Sequence, residues 1–251
     1  MGDYTTPRGP TSVATLEMDW KLPVYRGKSN KGKNSFSVQA RRALPVGEAV
    51  AYIAGDDPRP LLVLRECLTC TGTDDALLTR GADNEKTFLM SRWFHCVKLP
   101  PDVLEENHPF HNLFPGKKPG HLFVAEPNGK LRLDLNGEQS RTELWGVMNK
   151  LLAARYEKKP GPEKSMKALL KILDQFDVID DKITEVRRKI DKAIEKDGMR
   201  SRKLKKLEAE LAKLNTARAE SMKRAVATSK LELRKHAKTP DTAGNPADKQ
   251  G

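Results

Sequence analysis

The chain has 251 residues, 37% apolar and 32% charged, with a formal net charge of +12. That length holds one sizeable core and an appendage. The low apolar and high charged fractions point to a modest globular part joined to a long solvated helical part. Three cysteines exclude a disulfide scaffold. No apolar run approaches the ~20 residues of a membrane helix, and the N-terminus lacks the charged-then-apolar pattern of a secretion signal. A cytoplasmic protein without a membrane partner is therefore expected. The charge is uneven, at about +2 over residues 1–157 and about +10 over residues 158–251.

Residues 1–45 read as an N-terminal extension, partly β, in which "SVATLEMDW" and "NSFSVQARR" alternate as short strands do. "VGEAVAYIAGDD" predicts one or two helical turns ending at Gly55. "RPLLVLRE" is a short continuous apolar run, as a buried central strand requires. In "TGTDDALLTRGADNEKTFLMSRW", Thr73 is placed to N-cap a helix, with Asp74 and Asp75 in its first turn and Gly81 as an interruption. "FHCVKLP" predicts a second strand and "PPDVLEENHPFHNLFPGKKPG" a long loop. "HLFVAE", the turn Pro127-Asn128-Gly129 and "LRLDL" predict a hairpin. "EQSRTELWGVMNKLLAARY" closes the unit as an amphipathic helix with Leu144, Val147, Met148, Leu151 and Leu152 on one face.

Residues 157–164, "EKKPGPEK", read as a linker. Beyond it, Leu169, Leu173, Phe176, Ile179, Ile183, Val186, Ile190 and Ile194 recur at spacings of three and four. "KDGMRS" breaks the pattern, with Gly198 as a helix C-cap. Leu204, Leu207, Leu211 and Leu214 then form a second seam. Over residues 165–237 this predicts a coiled-coil-like antiparallel helical hairpin within one chain, with a homodimer through the same stripe as the rival. Residues 238–251 read as a disordered tail.

The segments "RPLLVLRECLTCTGTDD", "FHCVKL" and "PGHLFVAEPNGKLRLDL", with the helix after them, resemble the thioredoxin fold over about residues 46–156. The resemblance implies an α/β unit with a central mixed sheet and flanking helices. It also implies an active-site cysteine at a helix N-terminus about ten residues after the proline that opens the central strand. Counted from Pro60, that residue is Cys70, and the second position of the motif "CTGT" is Thr73. Read simply as C-x-x-C, the pair is Cys67 and Cys70. The proline implied at the start of the hairpin falls nearest Pro119. The activity implied is thiol–disulfide exchange on a protein thiol or disulfide, with Cys70 attacking and Cys67 as the best available resolver.

A cysteine at a helix N-terminus is stabilised as thiolate, the nucleophile in exchange. Asp74 and Asp75 oppose that, and Thr73 removes the local resolving thiol. The competing class is a redox-silent scaffold that finds a protein partner through its helical arm. Cys96, within the second strand, reads as a packed core residue. His95, His108, His111 and His121 offer no zinc spacing with the cysteines, so no metal and no cofactor are expected. "RSRKLKKLEAELAKL" interleaves acids with its bases and carries no aromatic, which favours a solvated helix face, with nonspecific contact to nucleic acid or an acidic partner as the alternative.

Overall fold

The computed structural model describes residues 7–26, 42–67, 76–199 and 202–234. At its centre are strands β1 (Leu61–Arg65), β2 (His95–Leu99), β3 (Leu122–Ala125) and β4 (Leu133–Leu135), forming a mixed sheet in the order β2-β1-β3-β4. β1 runs parallel to β2, with Leu62 opposite Cys96, and antiparallel to β3, with Val63 opposite Phe123. β3 and β4 are antiparallel.

The central strand shows why "RPLLVLRE" lacks polar alternation. Leu61 and Val63 face one apolar layer, with Val50 and Ile53 of α2 (Val46–Ala54) and with Phe110, Leu113 and Phe114. Leu62 and Leu64 face the other, with Phe88 and Leu89 of α3 (Glu85–Ser91) and Leu144 and Met148 of α4 (Arg141–Arg155). Both faces are covered, so every position must be apolar. Each such side chain contributes about 1.5–3 kcal/mol when fully buried.

Local chemistry sets the ends. Gly55 terminates α2 at φ 53°. Ser140 caps α4 by accepting a hydrogen bond from the Glu143 N–H at 3.2 Å. Gly129, at φ 75°, donates its N–H to Glu126 at 2.8 Å, and Asn128 Oδ1 accepts from the Lys130 N–H at 2.9 Å. The hairpin therefore turns where "PNGK" predicts.

The N-terminal alternation misleads. Residues expected to be a strand form helix α1 (Pro10–Thr15), with Pro10 at its first position. Two aspartates hold its start. Asp177 accepts from the Gly9 N–H (2.9 Å) and Ser12 Oγ (2.7 Å), and Asp180 accepts from the Thr11 N–H (2.8 Å) and Thr11 Oγ1 (2.9 Å). Arg8 forks onto Glu85 with two bonds of 2.7 Å and also reaches Asp174 and Asp177. Lys21 then bridges to β2 beside Val97. In the stretch expected to be helical from Thr73, the described α-helix is Glu85–Ser91. Gly81 turns at φ 65°, and Asn84 Oδ1 accepts from the Thr79 N–H at 2.9 Å. "NSFSVQARR", Cys70, Thr73 and the tail lie outside the described residues.

Two long helices follow, α5 (Pro162–Asp197) and α6 (Arg202–Ser229). α5 begins inside the expected linker because Pro162 suits a first helical turn. The helices run antiparallel: Arg224 donates to Gln175 at 3.0 Å, Arg218 lies 3.7 Å from Asp180, and Leu207 packs with Val186 and Ala193. Ile194 is exposed and Ala193 is buried in its stead. A helix of 3.6 residues per turn rotates a strict seam by ~20° each heptad, which accounts for the exchange. The inner half of the pair belongs to the sheet-side core, which includes Leu169, Leu173, Phe176 and Ala225. Past α6, Leu233 bridges to Tyr156, and Trp93 Nε1 donates to the Ser229 carbonyl at 2.9 Å. Among the described residues no helix is long and apolar enough to cross a membrane.

Candidate functional site

The reactive groups gather where β1 and β2 finish and β3 begins. The Arg65 N–H donates to the His121 carbonyl at 2.7 Å and the Glu66 N–H to the Leu99 carbonyl at 2.8 Å. The ladder thus runs to the residue before Cys67. Cys67 is half-buried and disulfide-bonded. Pro119 comes to the same end, where its carbonyl accepts from Arg65 Nη2 at 3.3 Å. The cis peptide among the described residues is Lys159–Pro160, so Pro119 brings a carbonyl to this edge but not the cis bond that the thioredoxin resemblance implies. Gly120, next in the chain, has no room for a side chain: a Cβ there would stand 2.5 Å from the Leu135 carbonyl oxygen.

Arg65 is the unexpected member. Parity along β1 places it on the Leu61/Val63 face, where its guanidinium lies 5.7 Å from the centre of the Phe114 ring. It is only 6% exposed. Nη1 donates to the Glu66 carbonyl at 3.4 Å, Nη2 donates to Pro119 and lies 3.3 Å from His121 Nδ1, and Nε has no hydrogen-bond partner. All these contacts are at the long end of hydrogen bonding, and no described carboxylate pairs with the cation. Burial pulls the Arg65 pKa down. Burial, and then the Arg65 charge, lower that of His121. An arginine has no acceptor capacity, so His121 Nδ1 must accept and the ring proton sits on Nε2.

The other candidates lie elsewhere. Cys96 is buried opposite Leu62, about 16 Å from Cys67 along the strand. Burial pushes its thiol up to about 12, and Sγ donates to the Ser91 carbonyl at 3.4 Å. His95 bonds to Asp57 (2.9 Å) and the Ile53 carbonyl (3.0 Å). His108 Nδ1 accepts from the Phe110 N–H at 3.1 Å, and His111 Nδ1 meets the Leu104 carbonyl at 3.1 Å. Among the described residues no three His, Cys, Asp or Glu side chains are grouped to hold a metal ion.

Sequence reasoning singled out Cys67 and passed over Arg65, because a charged residue closing an apolar run resembles a solvated strand end. The available signal was parity: residues 61, 63 and 65 share a buried face. Comparison with known proteins gives no matching family model, no matching curated protein and no matching solved structure. Chemically, the arrangement is a disulfide sulfur two residues along the chain from a buried cation that has no carboxylate partner among the described residues.

Proposed function

We propose that the protein is a thioredoxin-like thiol–disulfide exchange protein acting on a protein partner, with Cys70 as the attacking thiol and Cys67 as its resolver. The observation that carries this reading is the disulfide-bonded Cys67 at the end of the central strand. The sheet order β2-β1-β3-β4, with one parallel pairing followed by a hairpin and a closing helix, supports it. In the reducing direction the Cys70 thiolate attacks one sulfur of a partner disulfide and expels the other as thiolate. The Cys67 thiolate then attacks Cys70, closing the Cys67–Cys70 bond and releasing the second partner sulfur. Two electrons pass to the partner. Reduction of insulin by dithiothreitol, followed by turbidity, tests the reading. Wild type and Cys96→Ser accelerate it equally, and Cys70→Ser does not. Equal rates with and without the protein would reject exchange activity.

That negative result would favour a second reading, a redox-silent scaffold that binds an acidic protein through its basic arm. Met199, 77% exposed just after α5 and next to the basic run that opens α6, favours it.

A further inference from the structure

We infer that the solvent face of α6 is a docking surface for the phosphate backbone of a nucleic-acid duplex. The surface is separate from the thiol site, and its test does not depend on exchange activity.

The helix sorts charges that the sequence interleaves. Leu207 packs with Val186 and Ala193 of α5, Leu211 and Leu214 lie beside it, and Leu204 is buried. These leucines fix the inward side of α6. At about 100° per residue, Arg202, Lys205, Lys206, Lys213, Lys223 and Arg224 fall within an arc of about 100° on the opposite side. All of them are exposed. Glu208 and Glu210 fall outside that arc, on its two flanks, and Glu220 is the one acid of α6 inside it. The result is a basic strip about 33 Å long from Arg202 to Arg224, at about 1.5 Å per residue. The carboxylates of α5 are engaged elsewhere. Asp174 and Asp177 hold Arg8, Asp180 accepts from the Thr11 N–H, and Glu185 pairs with Arg188. Residues 235–251 contain three lysines against two aspartates, so the end of the chain is not an acidic cover for the strip.

The make-up of the strip selects its partner. Protein interfaces are anchored by aromatic and large apolar side chains. α6 has no aromatic, and its exposed large apolar residue, Val226, falls outside the arc. Docking on a membrane needs an apolar face beside the charge, whereas Ala209 and Thr216 stand between the bases. Single strands are held by stacking on aromatics. A duplex backbone needs neither anchor nor stack. It offers one negative charge per about 1.7 Å of axis, and the small side chains at 209 and 216 let it approach the lysines closely.

The test follows binding of the full-length protein to a labelled DNA duplex of about 20 base pairs by fluorescence anisotropy. Contacts to about four phosphates should make the affinity fall about a hundredfold between 50 and 200 mM salt. Lys206→Glu/Lys213→Glu should weaken binding about tenfold or more at 50 mM salt and flatten the salt dependence. Lys117→Glu/Lys118→Glu makes the same change in net charge at exposed loop positions and should bind as wild type does. An equal loss in the two double variants overturns the inference, since the attraction would then be to net charge and not to the strip. Wild type alone also decides: no binding at 50 mM salt, or an affinity flat across that salt range, overturns it without any variant. Polyglutamate that displaces the duplex at equal charge concentration overturns it in favour of an acidic protein.

Discussion

The two ends of the central strand hold arginines in different surroundings, Arg59 half-buried and Arg65 buried. At the N-terminal end Arg59 forks onto Asp57, with Nη2 to Oδ2 at 2.6 Å, and the same carboxylate bonds to His95. Burial works against the Asp57 charge, but the Arg59 side-chain and backbone bonds and His95 hold its pKa down to about 2. At the C-terminal end the partners of Arg65 among the described residues are the Glu66 and Pro119 carbonyls and the His121 ring. Arg59 thus has a carboxylate partner, and Arg65 has none among the described residues. The end without a described carboxylate partner is the one that carries the disulfide-bonded Cys67.

The largest effect that would sharpen this contrast is at the N-terminal end. Asp57→Ala leaves Arg59 and His95 without their shared acceptor and should lower unfolding stability by about 2–3 kcal/mol in urea titrations. Asp57→Ala as stable as wild type would remove the contrast. Next comes Gly120→Ala at the C-terminal end. Its Cβ must displace the Leu135 carbonyl, and a loss of about 2 kcal/mol is expected by thermal melting. A third test uses acid. The folded pKa of Asp57 lies below the ordinary carboxylate value of about 3.9. Its stabilisation is therefore full above about pH 4 and disappears as pH falls towards 2. The wild-type advantage over Asp57→Asn in urea midpoint should shrink across that window, and an advantage constant down to pH 2 would contradict it. The smallest stability effect belongs to Arg65→Met. Replacing a buried cation that has no described carboxylate partner by an apolar chain of similar length should leave stability unchanged or raise it by about 1 kcal/mol. A loss as large as that of Asp57→Ala would make Arg65 a structural residue like Arg59.

The sequence announced most of this frame. The run Leu61–Leu64 had to be covered on both faces, and "PNGK" turned as its residues require. α4 buried Leu144, Met148, Leu151 and Leu152 from the face expected, with Val147 at its margin. What escaped was non-local. α1 owes its start to Asp177 and Asp180, far along the chain, which no local alternation reveals. The helical seam was visible, yet nothing in its spacing distinguishes Phe176, buried against the α/β unit, from Val186, buried against α6. At the candidate site Cys67 could be read from its motif. Arg65 could not, because its meaning depends on Phe114, Pro119 and His121 converging from another segment.

The bridge between Tyr156 and Leu233 has a consequence for the molecule's proportions. The chain leaves the α/β unit and re-enters it at one spot, so α5 and α6 together form an excursion with both feet pinned side by side. The host sees only those feet and the inner turns. Matched turns added to or removed from both helices beyond Val186 change the reach of the tip and leave the anchorage alone, and the cost of closing such an excursion rises only logarithmically with its length. Reach and anchorage are in this sense separately adjustable dimensions of one chain. Deleting one matched heptad from each helix should leave the melting of the α/β unit and the reactivity of Cys67 unchanged while shortening the particle measured by small-angle scattering.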